Sequence, residues 1–316
     1  MIKEETVLIL GAGASMPFGF PCGRDLISKI CEFFKKEINS RKLILRNSSS
    51  NPFTVERTES FVSQLSRPPN VSIDEFLRDR PDFWEIGKIG IAAVLLGCED
   101  PDIAASVEDN WYGLLFRELR KGASTFKDVL ENKLSIITYN YDRLFEYLLI
   151  THPRDSYKLT SSDCSLIFSP ESPKIQIIHL HGKIGEYEYQ TRYVYYPRYD
   201  MKLDSNKILR ASSQIKIVHE DIENDRCFNQ AHIALDYAKR IYFLGFGFDN
   251  KNLERLLPDS IRDIGKSSKV RGTAYRLDTM TKSRAKNMGL EYITDVDTFP
   301  NKTIFQYFSD PNFILD

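Results

Sequence analysis

The chain has 316 residues, with 43 Lys+Arg against 44 Asp+Glu, a net charge of −1, and 42% hydrophobic and 12% aromatic residues. That balance excludes a protein whose main work is neutralising a nucleic-acid backbone or an anionic membrane. It equally excludes low-complexity disorder. At about 100–200 residues per domain, the length admits one large domain or two modest ones.

The five cysteines (Cys22, Cys31, Cys98, Cys164, Cys227) include no C-x-x-C pair. A disulfide framework and a Cys-based zinc site are therefore not expected, and a reducing, cytoplasmic setting is. The longest apolar stretch, Ile89 to Gly97, is about half a membrane span. The N-terminus, Met1-Ile2-Lys3-Glu4-Glu5, is acidic and too short in apolar residues for a secretory leader.

In chain order, Val7-Leu8-Ile9-Leu10 reads as a buried parallel strand that meets a turn at Gly11. Asp25 to Ile38 has helical spacing (Leu26, Ile30, Phe33, Phe34). Loop signals follow at Ser48 to Pro52 and at Arg67 to Asn70. Ser72-x-x-Glu75 is a capping box ahead of Phe76-Leu77. Trp84 to Leu96 and Trp111 to Arg120 are helical, so residues 41–130 read as a helical block without a strand. Strands are then expected at Leu134 to Thr138, Lys174 to Leu180, Ile215 to Val218, Ile241 to Leu244 and Thr273 to Leu277. Helices are expected at Arg143 to Ile150, Cys227 to Arg240, Asn252 to Leu257 and Thr281 to Met288. Alternating strands and helices imply an α/β fold of Rossmann-like type, a parallel sheet with helices on both faces. The helical block then reads as an insertion: one domain over 1–316, with a core of 1–40 plus 131–316 and an inserted module at 41–130.

Four short motifs carry polar or glycine chemistry at strand ends, where ligands of open α/β sheets bind. Gly11-Ala12-Gly13-Ala14-Ser15 pairs a tight turn with a following helix, whose N-terminal amides and dipole suit phosphate. Met16-Pro17 stands where a dehydrogenase fingerprint has its third small residue, and no second strand ends in the acidic residue that fingerprint needs. A plain packing turn is the alternative. Thr138-Tyr139-Asn140-Tyr141-Asp142 offers an amide for a water or a ribose hydroxyl, with Asp142 as an alternative helix cap. In His179-Leu180-His181-Gly182, His181 reads as a general base and His179 as a supporting or core histidine. Gly245-Phe246-Gly247-Phe248-Asp249 is a second close-approach turn. The tyrosine-rich stretch Tyr187 to Tyr199 has nearly balanced charge, so it reads as an aromatic ribbon or oligomer contact, and direct nucleic-acid binding is not expected.

Taken together with Phe20-Pro21 and Ser72-Ile73-Asp74-Glu75-Phe76-Leu77, the ordered motifs resemble the sirtuin-like superfamily over about residues 5–260. The resemblance is to its bacterial branch of antiphage NAD hydrolases. It implies that Gly11, Ala12, Gly13, Ala14 and Ser15 contact the NAD diphosphate and nearby ribose. Asn140 positions water beside the nicotinamide ribose and His181 is the general base, with Pro21, Thr138 and Asp142 in the set that binds NAD. Gly245, Phe246 and Gly247 line the adenosine side. Pro21-Cys22-Gly23-Arg24 replaces the deacylase loop Pro-Asp-Phe-Arg, and Arg24 is placed to pair with a phosphate. Both that replacement and the lack of two C-x-x-C pairs weigh against protein deacylation. The expectation is NAD cleavage to nicotinamide and ADP-ribose without a metal, with NAD-dependent deacylation or ADP-ribosyl transfer as the alternative. With no residues left for a separate sensor, regulation is expected in trans, through homo-oligomer assembly or another chain such as an ATPase.

Overall fold

The computed structural model describes residues 1–40, 54–68, 72–168, 175–186, 199–200, 203–217, 225–257, 269–287 and 290–311, with 313 and 315. Five strands form one sheet: β1 (Thr6–Leu10), β2 (Leu134–Thr138), β3 (Ile175–His179), β4 (Arg240–Leu244) and β5 (Lys269–Gly272). All neighbours are parallel, in the order β3-β2-β1-β4-β5. The strand order reverses at β1, so the carboxyl ends of β1 and β4 flank the crevice where doubly wound sheets place their ligands.

The alternation of side chains along β1 explains why its run is apolar throughout. Leu8 and Leu10 enter one core, and Val7 and Ile9 enter the other. Each face of a central parallel strand is covered by helices, so Val7 to Leu10 are apolar, and the buried Thr6 at the strand's start satisfies its hydroxyl on Glu4 O at 2.9 Å. The first core packs α1 (Gly23–Ser40), α4 (Trp84–Leu96), α6 (Trp111–Arg120), α8 (Leu144–Tyr157) and α9 (Ser161–Ile167) on one side of the sheet. The second packs α11 (Arg226–Tyr237), α12 (Asn250–Leu256) and the helix Thr279–Asn287 on the other.

Among the described residues between β1 and β2, all regular elements are helical. Besides α1, α4 and α6 they include α2 (Val55–Leu65), α3 (Ile73–Asp79), α5 (Pro101–Ser106) and α7 (Phe126–Leu130). Ser72 caps α3 by accepting from the Glu75 amide at 3.1 Å. From Ile89 to Leu96 helix α4 is apolar and buried on every side, because α1, α3 and α10 (Ser205–Ser213) pack around it.

Two expected strands are absent. Ile215 and Ile217 are buried, but among the described residues 215–217 the pairing is a single antiparallel bridge, Ile215 to Gly182, just beyond the end of β3. The last strand lies at Lys269–Gly272, before Thr273 to Leu277: the Thr273 amide still reaches Phe243, but the Ala274 amide turns to Pro300. The loop signals at 48–52 and 69–70 and the tyrosines Tyr187, Tyr189, Tyr193, Tyr195 and Tyr196 lie outside the described residues. Tyr199 is buried and stacks on Tyr147 at 4.0 Å.

Candidate active site

The two G-x-G turns touch each other. The Gly11 amide donates to Leu244 O at 3.1 Å, and the Gly13 amide to Gly245 O at 3.0 Å. A Cβ at Gly11 would lie 2.6 Å from Gly245 O, and one at Gly245 would lie 2.4 Å from the Ala14 nitrogen. Gly245 also has a φ of +58°. The glycines are therefore required by backbone-to-backbone packing of two turns that are far apart in sequence. This corrects the expectation of bare amides aimed at phosphate, since the Ala14 and Ser15 amides also have partners, Gly11 O and Ala12 O. Nor does an α-helix follow directly. Two 3-10 turns, Ala12–Ala14 and Met16–Phe18, come first, because Pro17 and left-handed Gly19 (φ +86°) interrupt the chain. Ala12 and Gly247 are the exposed members of the two turns.

Asn140 is built into this junction. Its Nδ2 donates to Gly11 O and to Ser15 Oγ, each at 3.1 Å, and its backbone amide donates to Thr138 Oγ1 at 3.0 Å. Because a peptide carbonyl only accepts, Gly11 fixes which end of the amide is nitrogen. What remains on the side chain is the carbonyl Oδ1, an acceptor for water or a hydroxyl.

Ser15 is buried and gathers three polar groups: Asn140, the Asp142 carboxyl and the Tyr112 hydroxyl. Burial pushes the Asp142 carboxyl up to about 6, against the pull of the Ser15 hydroxyl, the Leu144 amide and the His179 charge. Asp142 Oδ1 also accepts from the Leu144 amide at 3.1 Å, so the helix-capping reading of this residue is met in the structure. From the helical block, Trp111 Nε1 donates to Ala14 O at 2.8 Å in a buried contact, which braces the first turn.

The two histidines of β3 differ sharply. His179 Nδ1 lies 3.0 Å from Asn140 O, and its Nε2 lies 2.9 Å from Glu146 Oε1. Both ring nitrogens thus face acceptor oxygens. Burial acts to raise Glu146, but the His179 charge and hydrogen bond and the Lys183 charge outweigh it and hold the carboxyl at about 2. His181 is buried, and its Nε2 has no hydrogen-bond partner. Tyr139 meets its ring edge-on at 5.1 Å, and Tyr141 lies at 6.2 Å. Burial, aided by the Arg255 charge, lowers His181 to about 3. It is a neutral ring at physiological pH, not one poised near neutrality as its residue type suggested.

The remaining expected site residues divide. Thr138, Asn140, Asp142, Ser15, Gly11, Gly13 and Gly245 converge on the junction. Phe246 does not line it: its ring is buried against Tyr139, Phe243 and Phe248 at 5.2–5.5 Å, leaving only its backbone for a ligand. Arg24 is exposed in the first turn of α1, and Pro21 is half-buried just before it. Glu146 and Tyr112 were not anticipated. Each lies on a helix whose pattern reads as apolar packing, and only the fold brings them to the strand ends. A cleft of about 350 Å³ opens on the helical block between Gln64, Phe76 and Arg80, but it shares no residue with the strand ends.

The family model for the SIR2-like domain matches residues 134–293, just over half of the chain. The chain belongs to the SIR2-like family. Its matched region holds Asn140, Asp142, Glu146, both histidines and the second glycine turn, while the first turn lies outside it. Membership carries NAD-related enzymatic activity in general terms. No curated protein matches the chain. Among the described residues no group of His, Cys, Asp and Glu is arranged to hold a metal, and no helix is long and apolar enough to cross a membrane.

Proposed function

We propose that the protein is an NAD glycohydrolase that releases nicotinamide and ADP-ribose. The observation that carries this reading is Asn140: the glycine junction takes both amide hydrogens and leaves an acceptor at the strand end. Cleavage of the C1′–nicotinamide bond builds oxocarbenium character on the ribose, as in glycoside hydrolysis. Nicotinamide leaves neutral from a cationic ring, so acid catalysis is scarcely needed. What the site must supply is an oriented water and a proton acceptor. In this proposal Asn140 Oδ1 accepts a hydrogen from that water and the unpartnered Nε2 of His181 takes its proton. Water attacking an oxocarbenium ion becomes strongly acidic as the bond forms, so a weakly basic imidazole suffices.

In the same proposal 1–316 is one catalytic domain and 41–130 its insertion, a reading supported by the Trp111 brace on Ala14. NAD loss would serve antiphage defence in the cytoplasm, held off until homo-oligomer assembly or a partner chain such as an ATPase triggers it. The test is nicotinamide release from NAD by purified protein, with its activating partner where one is needed. Wild-type turnover should exceed that of Asn140→Ala and His181→Ala by orders of magnitude. Equal rates in the three proteins would sink the proposal, and strict dependence on an acyl-lysine peptide or an acceptor protein would replace it with deacylation or ADP-ribosyl transfer.

A further inference from the structure

Asn140 is held from two directions. Its side chain is fixed by the glycine junction, but its backbone carbonyl is fixed from β3, by His179. Glu146 closes the arrangement from the first turn of α8. Its side chain is 0% exposed, its Oε1 meets His179 Nε2, and its Oε2 has no partner. Lys183 Nζ stands 3.5 Å from the same Oε1, and Asp142 is the other acidic group whose charge reaches this pair. A buried carboxylate is expensive to hold away from water, so a role in packing alone would favour an apolar residue in its place. A carboxylate on one nitrogen of a histidine whose other nitrogen faces a carbonyl does one specific thing: it fixes ring orientation and favours the doubly protonated ring, in which Nε2–H donates to the carboxylate and Nδ1–H to the carbonyl.

We propose that Glu146 and His179 are positioning residues, in which Glu146 orients the imidazole so that His179 Nδ1–H clamps the Asn140 carbonyl and sets the pose of the Asn140 side chain. The inference rests on the proposed NAD cleavage for its kinetic readout only. It makes a distinction between isosteres. In His179→Asn, the side-chain amide nitrogen takes the place of Nδ1 and still donates to Asn140 O. In His179→Gln, the amide sits where Nε2 was, and the clamp is lost. Likewise Glu146→Gln can donate to Nε2 and leave the hydrogen on Nδ1, whereas Glu146→Leu cannot.

The experiment compares these four variants with the wild type by nicotinamide release and by amide hydrogen exchange at Asn140 and Tyr141. His179→Gln and Glu146→Leu should lose about 100-fold in kcat, the scale of a misplacement of about 1 Å in a reacting group, with KM moving less than about threefold. His179→Asn and Glu146→Gln should recover at least about tenfold of that loss. Exchange at Asn140 and Tyr141 should quicken in the first pair of variants and stay slow in the second. Equal kinetics in the two variants of one residue, His179→Gln with His179→Asn or Glu146→Leu with Glu146→Gln, or a loss confined to KM, overturns the positioning role while leaving NAD cleavage intact. If the wild type cleaves no NAD under any activating condition, the functional reading fails, and the exchange difference alone decides the clamp: present, it stands; absent, it falls.

Discussion

The crevice has two unlike walls. On one, the turns after β1 and β4 interlock through backbone, and Asn140, Ser15 and Asp142 are stitched to them by hydrogen bonds. On the other, His181 sits between tyrosine rings with a buried nitrogen that bonds to nothing. Native interiors seldom leave such an atom unpaired, so each one calls for an explanation. Under the proposed function, the contrast separates the part of the site that the fold needs for stability from the part that would meet a ligand.

Five substitutions test that separation. The largest effect belongs to Gly245→Ala. A Cβ there would meet the Ala14 nitrogen at 2.4 Å and require a left-handed backbone, so urea unfolding should show a loss of about 2–5 kcal/mol. Gly247, in the same motif but facing open space, should tolerate Ala within about 0.5 kcal/mol. Equal losses at the two positions would break the account of the interlocked turns.

Next comes pH. Asp142, raised to about 6, holds a proton in the folded chain at pH values where the unfolded chain has lost it, so through that window it makes stability fall as pH rises. His181, lowered to about 3, takes its proton only in the unfolded chain below the ordinary histidine value, so it makes stability rise with pH. The two slopes oppose one another. In Asp142→Asn only the histidine slope remains, and stability should drop more steeply on acidification from about pH 6 to about pH 4.5, by about 1.4 kcal/mol per pH unit. Denaturant melts across that range check the sign.

Trp111→Phe removes the indole hydrogen bond to Ala14 O while keeping the aromatic ring. A loss of about 1–2 kcal/mol is expected for a buried hydrogen bond whose acceptor is left bare. Among the buried positions, the smallest effect on stability belongs to the other wall. His181→Leu exchanges an unpaired polar atom for carbon, so stability should stay within about 1 kcal/mol of wild type while nicotinamide release is abolished. A large loss of stability there would show that His181 is a structural residue.

The sheet was legible where burial and register coincide. Val7 to Leu10, Leu134 to Thr138 and Ile241 to Leu244 are apolar because both faces of a central parallel strand are covered, and all three are strands. Ile215 and Ile217 are equally apolar and buried, but their sequence says only that they are covered, not that they lie beside another strand. In the site, the pattern marks Gly11, Gly13 and Gly245 as special without revealing that each is the reason for the other. Glu146 was out of reach for the same kind of reason: its partner, His179, is 33 residues away. What a local pattern cannot supply is the partner.

The central place of β1 also governs when the protein can become itself. Thr6 must find Leu134 on one side and Arg240 on the other. At about 5–20 residues per second of synthesis, the first strand waits tens of seconds for its second neighbour. During that wait its apolar edge needs shelter, which the early helices α1 and α4 can provide through the first core. The glycine junction needs Gly245, so a growing chain carries no crevice until β4 and the turn after it have been made.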